Sequence, residues 1–366
     1  MEKAIINDSG TTFAYIDSGP PSEESYTTLI CVHGHSYHAR NFDRLLPLSK
    51  KYNIRVIAFN RRDYEGSTPL STQELEALNG DDADAHAEFL RERGFEMALF
   101  IDWVIKEKSL PPIKIEGSSA SGGIVLLGWS LGNITTLAFL ANLDKYPVEL
   151  NRVFKSYLRR FDMYDLPNNC IGCEPPQNGY HPLRDSVVPE RTRGIVFGKW
   201  VSTYYNHPAY SSAADPSSSP LERDSIASLQ VKAPFKSAKK CTLDRLSPRE
   251  LLECVDIAPG LRSERAFWNI ERSVLRAQTA AALLGSGNSG SLGEEGMMLP
   301  SLRVRVMYGL ESLWVVHWET WRLEDEYKKW AEEGKKTRPV TFIPIAGANH
   351  FLHWDDAERF LEIISQ

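Results

Sequence analysis

Cysteine is scarce in this chain. Five residues among 366, at positions 31, 170, 173, 241 and 254, are too few and too scattered for a disulfide scaffold. Cys170-Ile-Gly-Cys173 is a lone CxxC with only His181 nearby, so it lacks the further ligands of a zinc site and no metal is expected. Long apolar runs are missing too. Stretches such as Gly123 to Trp129 fall far short of the ~20 residues that cross a bilayer, so no membrane span is expected. No sign of charge dominates: 42 basic against 48 acidic residues give a net charge of −6, and without a basic stripe nucleic acid is not an expected partner. The first residues, MEKAIINDSGTTFAYIDSG, hold no apolar stretch behind a basic start, so no secretory signal is read and a cytoplasmic location is expected.

What is present is ordinary globular material, 42% hydrophobic and 25% charged. Short apolar segments predict strands at 4–6, 12–16, 28–32, 54–59, 124–128, 160–165, 302–308 and 340–345. Helical spacing falls between them at 39–51, 82–108, 132–143, 319–333 and 355–365, and Asp81, Asp82 and Asp84 favour the start of the second. Alternating strands and helices predict an α/β fold with a parallel sheet covered on both faces. The alternation stops between 167 and 299. That stretch has Pro/Ser clusters, helical patterns at 192–205, 247–255 and 263–284, and a Gly/Ser-rich run at 285–296 read as mobile. The predicted organisation is therefore a core of 1–166 and 300–366 carrying a helical cap of 167–299.

The strongest chemical signal is Gly128-Trp129-Ser130-Leu131-Gly132, a G-x-S-x-G between a buried strand and a helix. A tight turn there lifts the serine hydroxyl to the positive end of the following helix. A serine hydroxyl needs a base to act as a nucleophile. His350 fits, because it follows the last strand and so belongs to the same sheet edge; His353 is the alternative, placed to begin the helix. His33-Gly34-His35 ends an early strand. The backbone N–H of His35, with that of Leu131, is positioned to cradle an oxyanion.

In the order of these motifs the chain resembles a serine hydrolase of the α/β-hydrolase fold, over residues 4–166 and 300–366. The Asn60-to-Thr68 loop, NRRDYEGST, is similar to that of uncharacterised fungal members. The resemblance implies an eight-stranded, mostly parallel sheet, a cap above the site, and no metal or organic cofactor. It disfavours epoxide hydrolysis and dehalogenation, whose enzymes carry Asp where this chain has Ser130. It also implies an acid to orient His350. The usual position, after strand 302–308, holds Ser312, with Glu311 one residue early; the other, after the preceding strand, holds Asp165. Asp165 is favoured and Glu311 is the alternative. The 61–68 loop is expected to brace the HG turn.

Aromatic residues of the cap (Phe197, Trp200, Tyr204, Tyr205, Tyr210, Phe235, Phe267 and Trp268), with Trp129 and Trp314, are candidates to wall an apolar pocket; Gly34, Trp129, Trp200 and Tyr204 are the chosen substrate contacts. The expected substrate is an uncharged, moderately apolar ester or lactone. Two alternatives share the scaffold: an intramolecular acyl-transfer cyclase that forms a lactone, as in fungal secondary metabolism, and a non-catalytic ligand-binding protein.

Overall fold

The computed structural model describes residues 1–117, 119–167, 169–211, 223, 225–234, 239–284 and 297–366. One sheet contains β1 (Glu2–Ile5), β2 (Thr12–Asp17), β3 (Thr27–Val32), β4 (Ile54–Phe59), β5 (Ile124–Trp129), β6 (Leu158–Tyr164), β7 (Arg303–Gly309) and β8 (Val340–Ile345). Their spatial order is β1-β2-β4-β3-β5-β6-β7-β8. β2 runs antiparallel to both its neighbours, and the other pairs are parallel.

Central strands are apolar at every position because both faces are covered. In β5, Ile124 and Leu126 join one buried cluster, while Val125, Leu127 and Trp129 join the other. The helices that matter below are α1 (Ala83–Glu107), α2 (Gly132–Ala141), α3 (Glu190–Val201), α4 (Pro248–Cys254), α5 (Arg272–Leu283), α6 (Trp314–Glu332) and α7 (Ala357–Ser365). Asp82 caps α1, its carboxylate accepting from Asp84 N at 2.9 Å. In mid-sheet, Asp162 is fully buried between Arg160 and Arg305, and these arginines also donate to the carbonyls of Ile364 and Ile363. That buried pairing fastens the end of α7 to the sheet.

Between β6 and β7 the described residues contain no sheet strand. The segment expected to form one helix over 263–284 is instead broken. A π-turn (Gly260–Glu264) and a 3₁₀ turn (Ala266–Asn269) precede α5, with extended backbone at Ile270 and Glu271. The break has a physical reason: it lets the Glu264 carboxylate reach buried Arg61 while α5 packs on α2, where Gln278 Nε2 donates to Ile134 O at 3.1 Å. Gly285–Gly296 and Phe235 lie outside the described residues.

Candidate active site

Ser130 follows β5 directly and has left-handed backbone, φ 53°. For a non-glycine residue that conformation costs about 1–3 kcal/mol, so it must be held. Hydrogen bonds on both sides of the residue hold it. Ser130 N donates to Tyr164 O at 3.0 Å, and Asn133 donates to Ser130 O through both its backbone N (3.0 Å) and its Nδ2 (2.8 Å). The turn also brings α2 against β3. A Cβ on Gly132 would sit 2.4 Å from Val32 O, so only glycine fits. Gly34 meets the same limit from the other side, since its Cβ would lie 2.7 Å from Ser130 Cβ.

His350 follows β8 and is buried. Its Nδ1 lies 2.9 Å from Asp165 Oδ2. A carboxylate oxygen accepts, so the ring donates from Nδ1 and, when neutral, keeps a lone pair on Nε2. Asp165 follows β6, also in left-handed backbone at φ 47°, and is fully buried. Its Oδ1 accepts from Gly309 N at 2.8 Å, and its Oδ2 also accepts from Ser312 Oγ at 2.6 Å. Ser312, at the position after β7 where an acid is usual, thus donates to Asp165. Glu311 is turned elsewhere, its carboxylate bound to Lys239 Nζ at 2.7 and 2.9 Å. Ser130 Oγ makes no hydrogen bond among the described residues and faces a cavity.

The HG loop is braced from beneath. His33 receives Arg61 N on Nε2 at 3.0 Å, so its proton is on Nδ1, 2.9 Å from Gly34 O. Burial, with Arg61 beside it, holds this imidazole well below its ordinary pKa and so neutral. The Arg61 guanidinium donates to His33 O and Gly34 O, and then to Glu264 of the insertion at 2.8 and 2.9 Å. His35 and Leu131 line the cavity beside Ser130, and neither backbone N–H is used by a protein acceptor among the described residues.

The cavity has a volume of about 490 Å³. Trp200, Phe197, Phe267, Trp268 and Trp314 wall it. Three of the substrate contacts chosen from sequence do not. Trp129 is buried below the site, its Nε1 donating to His350 O at 2.9 Å, because alternation along β5 turns it into the core. Tyr204 is drawn away by a hydrogen bond to Asp355 Oδ2 at 2.7 Å. Gly34 lies behind Ser130 rather than in the lining. His353 is buried, with Nε2 2.6 Å from Asn41 Oδ1. The lining is also less apolar than expected. It includes His181, noted in the sequence only as a neighbour of the CxxC, and Arg184, Asp185, Lys232 and Arg272, which no spacing in the sequence singles out. Among the described residues no group of three His, Cys, Asp or Glu side chains is placed to hold a metal ion, and no helix is long and apolar enough to cross a membrane.

A family model described as "Alpha/beta hydrolase family" matches residues 29–363. The chain belongs to that family. Similar solved structures of this family's fold include epoxide hydrolase A from Mycobacterium thermoresistibile, at 11% identity and TM-score 0.52, covering 100% of this chain and 97% of that one. An esterase from Exiguobacterium antarcticum is 15% identical, with TM-score 0.47 and coverage of 100% and 98%. Bromoperoxidase from Bacillus anthracis is 12% identical, with TM-score 0.45 and coverage of 99% and 97%. At 11% identity the likeness to the first of these bears on the fold alone. No curated protein matches the sequence.

Proposed function

We infer that the protein is a serine hydrolase acting on a carboxylic ester or lactone through an acyl-enzyme. One observation carries this: Asp165 Oδ2 sits 2.9 Å from His350 Nδ1, at the sheet edge where Ser130 opens into the cavity. In this reading Ser130 Oγ attacks the carbonyl carbon and His350 Nε2 takes its proton. Asp165 holds the Nδ1 proton and stabilises the imidazolium. The N–H groups of Leu131 and His35 receive the oxyanion. His350 then returns the proton to the leaving alcohol, and water, activated by the same Nε2, releases the acid. An oxygen nucleophile on serine suits carbonyl substrates. Opening an epoxide to a covalent ester would need a carboxylate at that place.

The test is covalent labelling. A fluorophosphonate should add to the wild-type protein, with the adduct mass on the peptide containing Ser130, and should fail on Ser130→Ala. An unlabelled but folded wild type sinks the assignment.

A further inference from the structure

We propose that the cavity recognises a carboxylate on the substrate, held by Arg184 and Lys232, so that the favoured esters are half-esters of dicarboxylic acids. This rests on the ester-hydrolase reading above and narrows its substrate class.

The charged groups around the cavity differ in how far they are already used. Arg272 is paired with Glu174, which also reaches Arg276 at 3.5 Å. Asp185 accepts from Val187 N at 2.9 Å, so one of its oxygens is engaged by its own loop. Arg184 and Lys232 have no carboxylate partner among the described residues. Each is laid over an aromatic face instead, Arg184 at 5.1 Å from the Trp268 ring centre and Lys232 at 4.9 Å from that of Tyr180. A cation seated on a ring is oriented while its N–H donors remain free, which reduces the ordering a ligand must impose.

His181 adds a donor of fixed polarity. Leu183 N donates to its Nδ1 at 3.3 Å, so the proton of the neutral ring is on Nε2. Burial, with Arg184 nearby, pushes its pKa down to about 3, and it stays a neutral donor at ordinary pH. Its ring packs on Trp200 and Trp268, with centres 5.0 and 4.8 Å apart. His35 Nε2 is buried with no hydrogen-bond partner among the described residues. Two free cations and a neutral donor beside aromatic walls call for a ligand with an apolar body and an anionic, acceptor-rich end. An uncharged ester would leave those donors unmatched.

Two measurements test this. On wild type, kcat/KM is compared for 4-nitrophenyl hemiglutarate and 4-nitrophenyl valerate, corrected for their spontaneous hydrolysis. On Ser130→Ala, binding of monomethyl glutarate and methyl valerate is followed by the fluorescence of the cavity tryptophans. The anionic member should be preferred about fivefold or more in both. The preference should shrink as salt rises from ~0.02 M to ~0.5 M, and collapse in Arg184→Gln/Lys232→Gln. Hydrolysis of both esters with no charge preference overturns the carboxylate site and leaves the hydrolase standing. A preference in binding without turnover sustains the site and overturns the hydrolase. A preference that survives the double substitution also overturns the assignment to Arg184 and Lys232.

Discussion

Ser130 and Asp165, at the sheet edge, sit in left-handed backbone, each fixed by several backbone hydrogen bonds and close contacts. Across the cavity, His181, Trp200 and Trp268 stand on short helical turns and on α3, where ring packing is the main constraint. The first region stores strain to aim a few atoms. The second spreads its contacts over many side chains, none of them strained. Reactivity should therefore be brittle to single changes at the edge, and selectivity should respond gradually to changes above it.

The sharpest test is Ser130→Ala, which should lower ester hydrolysis by about 10⁵-fold or more with an unchanged far-UV circular dichroism spectrum. Next comes the acid. Asp165→Asn should cost about 10³–10⁴-fold in kcat, because the imidazole loses the acceptor that sets its tautomer. Glu311→Gln should stay within about threefold, since its partner is Lys239 at the surface. Equal losses in the two would break the contrast at its centre.

Glu264→Gln probes the join between the regions. It leaves the buried Arg61 guanidinium short of a counter-charge and should destabilise the protein by roughly 3 kcal/mol in urea unfolding. Acid should weaken both regions together. Burial pushes the pKa of His38, after β3, and of His207, in the insertion, down to about 4. Unfolded histidine titrates near about 6.5, so below that pH the unfolded chain takes up protons that the fold refuses. Stability should thus be flat above this range and fall as pH drops toward 4, by roughly 2 kcal/mol per histidine at pH 5. A urea midpoint that does not move between neutral pH and pH 5 contradicts this. Above the edge, a modest effect is expected from Trp200→Ala: KM for bulky esters rises about three- to tenfold while kcat for an acetate ester changes little.

Much of the sheet edge was legible from sequence because it obeys local rules. All eight strands carry short apolar runs, and residues just past such runs must collect at one edge. That placed Ser130, Asp165, His350 and the HG loop near one another. Which of Asp165 and Glu311 lies beside His350 needs coordinates, since each follows a different strand and only the turn after it decides whether the carboxylate faces inward. The segment between β6 and β7 is less legible in the sequence. It has no strand period, so Trp200 and Tyr204 looked equivalent although one lines the cavity and the other bonds to Asp355. The break before α5 was invisible as well, because the pull of Arg61 on Glu264 acts across 203 residues of chain. Arg184 and Lys232 carried no signal beyond being charged.

The Arg61–Glu264 contact has an engineering consequence. The same guanidinium that grips the carbonyls of His33 and Gly34 closes on a carboxylate from the insertion. Replacing the segment between β6 and β7 with a foreign one would strand a buried cation directly under the HG loop, however well the new segment folded. Chimaeras should therefore carry Gly260–Glu264 across with the core, and move the splice point to its far side.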